Sequence, residues 1–521
     1  MDRARRYLPH ALIFFSSSCI MVVELVAGRL VARHLGSSLY TWTSIIGVVL
    51  AGMSIGNWIG GVLADRYRPR AILGWLFVGA SAACLLTLLL NSLFADSSPL
   101  EGMHWPVRVF LTMLFIFLVP ALALGTISPV TAKMALEEST TLGRTIGSVY
   151  AWGAVGSIFG TFTSGFWLIA ALGVQGVVLV LGLALALAGL ALGPLRWIHL
   201  LWVLAVVGLL VTGRSATAAG MAIKLGLRDD LAGCRFARDS HYQLIKVYDK
   251  KVLDPDVKGG VRTLRVLALD YLIHGYVDPG DPTYLHYDYE KVYRALAREA
   301  FKGRKKVSAF FIGGGSYTFP RWVLAEWPGS DILVAEIDPL VLEANHRALG
   351  LPRDTPIRTS LGDARNAVDD LPGSKRFDVI LGDAFADLSV PQHLVTLEFS
   401  RKLARHLAPR GVYMINIIDK FSSALLLCSV VNTLQEVFPR VYVFTSGAYG
   451  VTGRRDTFVV VASRVAIDVS HWYAGHDSGR PGSALSRDGM RTLADRCKGR
   501  VLTDDDAPVE NLLLPVIRSR R

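Results

Sequence analysis

Val307-Ser308-Ala309-Phe310-Phe311-Ile312-Gly313-Gly314-Gly315-Ser316 is a short apolar run that stops abruptly at three glycines. Its β-branched and aromatic side chains suit a strand buried on both faces. Missing side chains at Gly313, Gly314 and Gly315 let a ligand approach the backbone, with the start of the next helix pointing at it. Working outward, strand and helix patterns alternate. Phe319–Glu326 reads as a helix, Ile332–Ile337 as a strand, Pro339–Leu349 as a helix and Asp378–Leu381 as a strand. His393–Leu407, Val412–Ile417, Ser423–Val437 and Val441–Phe444 continue the series, and Thr457–Ala462 supplies a last strand. This order predicts a mainly parallel, Rossmann-like sheet covered on both faces. Ahead of it, Tyr242–Tyr248, Thr263–Leu269 and Tyr271–Val277 predict a small antiparallel β unit.

Ligands of such sheets lie beyond the carboxyl ends of the strands. The second strand ends in Glu336-Ile337-Asp338, about 20 residues past the glycines, where a carboxylate can accept both hydroxyls of a ribose. Gly362-Asp363-Ala364 follows, a turn that can offer a carboxylate to an adenine amino group and a backbone N–H to a ring nitrogen. The fourth strand ends in Gly382-Asp383, which places a further acid above the sheet. Taken singly, each acid has a plain structural explanation: Asp363 can cap a turn, Asp338 before Pro339 a helix, and Asp383 can form an Asx turn. Four such signals in order at successive strand ends favour a nucleoside-bearing ligand.

The preceding half of the chain is a different material. Residues 1–213 carry 12 Lys+Arg and 7 Asp+Glu, against 43 and 36 in residues 214–521. With 52% hydrophobic residues overall, the composition excludes a disordered or fully soluble chain. Five scattered cysteines exclude a disulfide-stapled miniprotein, and no CxxC spacing suggests a metal. The net charge of +12 is too dilute to indicate a nucleic-acid partner. About seven apolar runs near 11–33, 39–63, 71–93, 107–130, 145–170, 174–193 and 196–213 are long enough to cross a bilayer. Arg3, Arg5 and Arg6, then Arg66, Arg68 and Arg70, then Lys133 and Arg144, then Arg196 fall on one side of that pattern, which predicts a cytoplasmic amino terminus in the cell membrane. Glu24 lies deep in the first run, with Arg29 and Arg33 one and two turns on, and is expected to face the bundle interior with a partner. Gly52, Gly56 and Gly60, and Gly153, Gly156 and Gly160, have the spacing of closely packed helices.

The stretch Asp239–Ala462 resembles the spermidine synthase family of aminopropyltransferases, in its membrane-fused form. Ser240-His241-Tyr242-Gln243 is similar to that family's entry motif, Leu269-Asp270 to its Leu-Asp-Gly turn, and Tyr284–Glu290 stands in the place of its Tyr-His-Glu helix start. Tyr287-Asp288 and Tyr289-Glu290 are both candidates for that last match. Pro391, Leu394 and Glu398-Phe399, and a Leu502-Thr503-Asp504-Asp505 tail, follow the family pattern. The resemblance implies that Glu336, Asp363, Ala364, Gln243 and the Gly313–Ser316 loop hold decarboxylated S-adenosylmethionine, a co-substrate that is not permanently bound. It also implies Asp383 as the catalytic base, with Asp387, Tyr242, Tyr284 and Tyr287 lining the side of a polyamine or other small amine. The loop departs from the family's Gly-Gly-Gly-Asp-Gly at Ser316, and Asp383-Ala384-Phe385-Ala386-Asp387-Leu388 lacks the usual proline.

The expected architecture is a multi-pass helical membrane domain (1–213), a linker (214–236), the small β unit (237–282), an α/β domain of the S-adenosylmethionine-dependent methyltransferase type (283–464) and a tail (465–521). Two other functions remain open. One is methyl transfer from S-adenosylmethionine, whose carboxylate would suit a loop without an acid. The other is a transporter or sensor that binds without catalysis. Seven spans from a cytoplasmic start would put residues 214–521 outside, whereas one run that does not cross would keep them inside. That side, the acceptor and the oligomeric state, a homodimer included, stay open.

Overall fold

The computed structural model describes residues 2–517 apart from 37, 97–99, 101–102, 140, 195, 255–259, 386–389, 447–454 and 473–481. It divides into two compact units, one of residues 1–232 with 239–244 and one of residues 233–238 with 245–521.

The first unit is helical: α1 (Asp2–Leu35), α2 (Leu39–Arg66), α3 (Pro69–Asp96), α4 (Trp105–Gly125), α5 (Ile127–Glu137), α6 (Leu142–Thr163), a π-helical turn at Ser164–Leu168, α7 (Ile169–Leu192), α8 (Arg196–Arg214) and the short α9 (Ala219–Lys224). Six continuous stretches are long and apolar enough to cross a membrane among the described residues. The fifth, Leu142–Leu192, spans 51 residues, well over twice the roughly 20 that one crossing needs. It is broken at Gly173, whose φ of 71° and ψ of 165° are not helical. Two arms therefore occupy the stretch, matching the sequence runs at 145–170 and 174–193.

Close packing explains the glycines. A Cβ at Gly56 would lie 2.3 Å from Leu122 O on α4, and one at Gly160 would lie 2.4 Å from Ser18 O on α1. Arg33 ends α1 in a pair of carboxylates, 2.6 Å from Asp229 and 2.9 Å from Asp239. Arg29 donates to the carbonyls of Ser240 and His241. Both arginines are thus taken by the segment beyond α8, and Glu24 makes no ion pair among the described residues.

In the second unit, β1 (Cys234–Asp239), β2 (Leu244–Leu253), β3 (Val261–Leu269) and β4 (Leu272–Val277) form the antiparallel sheet. Then come α10 (Asp288–Ala300), β5 (Ser308–Ile312), α11 (Thr318–Glu326), β6 (Asp331–Glu336), α12 (Pro339–Ala344), β7 (Arg358–Leu361), α13 (Ala364–Asp369) and β8 (Phe377–Gly382). They are followed by α14 (Leu397–His406), β9 (Leu407–Lys420), α15 (Leu425–Gln435), β10 (Arg440–Thr445), β11 (Arg455–Ser463), β12 (Ser483–Ala484) and α16 (Arg487–Ala494). The large sheet runs β12-β10-β11-β9-β8-β5-β6-β7. Strands β5 to β9 pair in parallel, and β11, β10 and β12 close the other edge antiparallel.

Strand residues alternate between two cores, as period-2 geometry requires. Phe310, Ile312, Ile380, Ile415 and Ile417 face one, and Phe311, Val379, Leu381, Met414 and Val459 the other. The terminal region joins the first of these cores through Leu493, Leu502, Val509 and Val516. A disulfide between Cys428 on α15 and Cys497 fastens it.

Candidate active site

The strand order reverses between β5 and β8, and that reversal opens the crevice in which ligands of such sheets bind. Asp383 N donates to Ile312 O at 2.9 Å, so the two strand ends are tied side by side. Gly313 turns away with φ of 96°, and a Cβ there would sit 2.5 Å from Asp383 O. Only glycine fits both the left-handed backbone and the close approach.

Glu336 at the end of β6 is 7% exposed. Its Oε2 accepts the N–H groups of Gly314 (2.9 Å) and Gly315 (3.3 Å), and its Oε1 accepts that of Asp338. Burial raises its proton affinity against the pull of those donors. Glu336 and the glycine loop therefore form one element. Asp363 caps α13, accepting from Arg365 N at 2.8 Å, while its other oxygen lies 2.8 Å from His393 Nε2. Its partial burial pushes its pKa up, but His393 and the helix N–H groups outweigh that and hold it below the ordinary aspartate value. Asp338 caps α12 by accepting from Leu340 N, so its plain structural explanation describes its contact. Ala364 is the buried first residue of α13. Ser316 is buried, its Oγ 2.6 Å from Thr318 Oγ1 and turned onto Gly275 of β4. Beneath the loop, the Arg321 guanidinium donates to Ser316 O, Tyr317 O and Leu349 O.

Asp383 opens on a cavity of about 290 Å³. Asn416 Nδ2 donates to its Oδ1 at 3.1 Å and Tyr289 OH to its Oδ2 at 3.4 Å. Burial pushes its pKa up to about 6, and those two donors oppose the rise. Close by, Glu290 is 4% exposed and reaches back to Tyr287 N in a capping box. Burial and the Asp383 charge push it up to about 8. Tyr287 and Tyr289 stack with ring centres 5.4 Å apart along the wall, and His274, held down to about 4 by burial, adds a neutral imidazole. The site can thus hold a cation against aromatic faces and accept one proton near neutral pH.

The structure brings together Gly313, Gly314, Gly315, Glu336, Asp383 and Tyr287 from the sequence-derived set. Tyr284 instead covers Arg262 with its ring, 4.1 Å from the guanidinium carbon, and packs on the small sheet. Tyr242 and Gln243 belong to a turn that groups with the helical unit, their N–H groups donating to Ser240 Oγ. Asp387 lies outside the described residues. Asn416, Glu290 and His274 were not anticipated as site residues, although a lone polar Asn416 inside the apolar run Val412–Ile418 is a legible signal.

The fold is an α/β domain of the S-adenosylmethionine-dependent methyltransferase type, preceded by a region of long apolar helices. The chain is 25% identical over 463 residues to polyamine aminopropyltransferase 2 of Ralstonia nicotianae, covering 84% of this chain and 83% of that one. Polyamine aminopropyltransferase 1 of the same organism is 24% identical over 451 residues, 81% and 79% of the two chains. The eEF1A lysine and N-terminal methyltransferase of Danio rerio is 30% identical over a shorter 144 residues, 26% of this chain and 21% of that one. No family model matches. Over most of its length, helical region included, the chain is thus similar to polyamine aminopropyltransferases.

Proposed function

We propose that the protein is a membrane-anchored aminopropyltransferase that uses decarboxylated S-adenosylmethionine as co-substrate and a small amine of the polyamine type as acceptor. Asp383 carries this reading: a buried carboxyl whose pKa of about 6 suits a base at neutral pH, placed where the glycine loop and Glu336 would present the donor. Glu336 would accept the ribose hydroxyls, and Asp363 with the N–H of Ala364 would read the adenine. The acceptor arrives as an ammonium ion, gives its proton to Asp383, and its freed lone pair attacks the carbon beside the sulfonium. The new C–N bond forms as the C–S bond breaks, and the electron pair returns to sulfur, leaving neutral methylthioadenosine. Incubating the full-length protein with each donor and a panel of amines tests this. Methylthioadenosine release from the decarboxylated donor is the expected result, and S-adenosylhomocysteine release from S-adenosylmethionine alone would replace it with methyl transfer. One observation favours that second reading: Ser316 stands on the loop where the family has an acid, above the Arg321 guanidinium.

The protein is proposed to lie in the cell membrane with the Arg3–Arg6 end of α1 cytoplasmic. The loops bearing Arg66, Arg68 and Arg70, Lys133 and Arg144, and Arg196 support that side. Helix α8 would then lead from the Arg196 loop across the bilayer, and residues beyond Arg214 would lie on the opposite side. The Cys428–Cys497 disulfide supports an oxidising compartment there.

A further inference from the structure

Asp363 and Ala364 open α13, and the next residue, Arg365, is gripped from far along the chain. Its guanidinium meets the Asp504 carboxylate in a two-pronged pair, Nη1 to Oδ1 at 2.8 Å and Nη2 to Oδ2, across 139 residues of sequence. The same Nη1 donates to His393 O at 3.3 Å, and the His393 ring holds Asp363 Oδ2 through Nε2 at 2.8 Å. Asp504, Arg365, His393 and Asp363 therefore form one continuous run of polar contacts. It ends on the acid proposed to read adenine.

The 502–506 segment is itself held from the core side. Leu502 is fully buried, its N–H donating to Thr433 Oγ1 on α15 and its carbonyl accepting from Leu397 N at the start of α14, both at 2.8 Å. Asp504 N donates to Glu398 Oε2 at 3.0 Å, and Thr503 and Asp506 exchange backbone bonds at 3.1 Å. Arg365 holds the Asp504 carboxyl below the ordinary aspartate value, so the pair is ionised at neutral pH. With the Asp504 side chain 41% exposed, such a pair contributes little to stability. What it supplies is direction, because two parallel bonds fix the planes of both groups.

We infer that Asp504, acting through Arg365 and His393, is a positioning residue for adenine recognition and sets the direction of the Asp363 carboxylate. The inference rests on the reading of Asp363 and Ala364 as the adenine contacts, and adds the 502–506 segment to that subsite. Asp363 Oδ1 is occupied by the N–H groups of Arg365 and Asn366 in the helix cap, so rotation of the carboxylate is governed by what holds Oδ2. That group is His393, on the single turn Gln392–Leu394, whose His393 carbonyl is tied down by Arg365. Without Asp504, Arg365 loses its charged partner, and the hold on His393 loosens.

Calorimetry of the full-length protein with methylthioadenosine and methylthioinosine tests this. Adenine presents an amino donor to Asp363, whereas hypoxanthine presents a carbonyl oxygen at the same ring position. The parent protein should prefer methylthioadenosine by about tenfold or more. Asp504→Ala should cut that ratio to about threefold or less with little change for methylthioinosine, and Arg365→Gln should do the same. Asp363→Ala should remove the preference, and adding Asp504→Ala to it should change nothing further, since residues acting in series are not additive. Thermal melts of Asp504→Ala should stay near the parent value, whereas a general loosening would lower them and weaken both nucleosides alike. A full ratio retained in Asp504→Ala and Arg365→Gln, or equal weakening of both nucleosides, overturns the inference. A parent protein that binds the two nucleosides equally removes the Asp363 reading itself, and the inference with it.

Discussion

Asp383 is useful to a proton-transfer reaction because its surroundings disagree about its charge. Burial favours the protonated form, whereas Asn416 and Tyr289 donate to the ionised one, and the balance stands at about 6. The rate should therefore rise with pH through about 6 as the base ionises. Asn416→Ala removes a donor to the carboxylate and should move that inflection upward, a shift that a pH–rate profile reads directly. Asp383→Asn should lower kcat by a factor of about 10² or more while leaving donor affinity in place, and calorimetry would expose a collapsed site if donor binding vanished too. Stability runs the opposite way with pH. A carboxyl raised on folding contributes stability that is complete below its unfolded value of about 4 and is lost as pH rises through its folded value of about 6. Thermal melts of Asp383→Asn should lack that decline, and those of Glu290→Gln should lack the one that extends to about 8.

Elements act through their ends. The β5 glycines, Glu336 of β6 and Asp383 of β8 are joined by backbone contacts, so the loop that would receive the donor is fixed before any ligand arrives. Gly313→Ala should destabilise the α/β domain by about 1–3 kcal/mol through its positive φ and the approach to Asp383 O, with a matching loss of donor affinity. A denaturation midpoint equal to that of the parent protein would contradict this account. The strand-end residues at 313–316, 336 and 383 were legible because each follows its own apolar run, whereas Asp363 follows the polar β7 and was legible only as a Gly-Asp-Ala turn. Tyr289, Glu290, Asn416 and Arg455 were harder. They meet Asp383 or its cavity only through the pairing of β8 with β9 and β9 with β11, and by the seating of α10. Two tyrosine-acid pairs, Tyr287-Asp288 and Tyr289-Glu290, were equivalent in sequence. Helix phase separates them: Glu290 is buried, Asp288 is exposed, and Tyr289 is the tyrosine that reaches the base. In the helical unit, the Gly173 break was visible only as a division between two apolar runs.

Across the whole molecule, charge pattern and cysteine pairing bear on the same question. In the proposed topology the arginine and lysine loops share one side of the bilayer, and an odd number of crossings would separate them from residues beyond Arg214 with Leu142–Leu192 taken as two arms. Of the described cysteines, Cys19, Cys84 and Cys234 form no disulfide, Cys19 and Cys84 being buried in α1 and α3, whereas Cys428 and Cys497 are joined. A bridge closing a separation of 69 residues would contribute about 4 kcal/mol in the chain-entropy view, and it persists only where thiols are not continually reduced. The α/β domain is therefore expected outside the cytoplasm, and its donor would have to reach that side. Fusions of alkaline phosphatase after Arg214 and after Arg521 should be active, and the same fusions to green fluorescent protein dark. In intact cells, a thiol-reactive maleimide should leave Cys428 and Cys497 unlabelled until a reductant is added. Replacing both with serine should lower the melting temperature of the α/β domain. Fluorescent carboxyl-terminal fusions together with free, alkylatable Cys428 and Cys497 would place the domain in the cytoplasm and require that one of the apolar stretches does not cross.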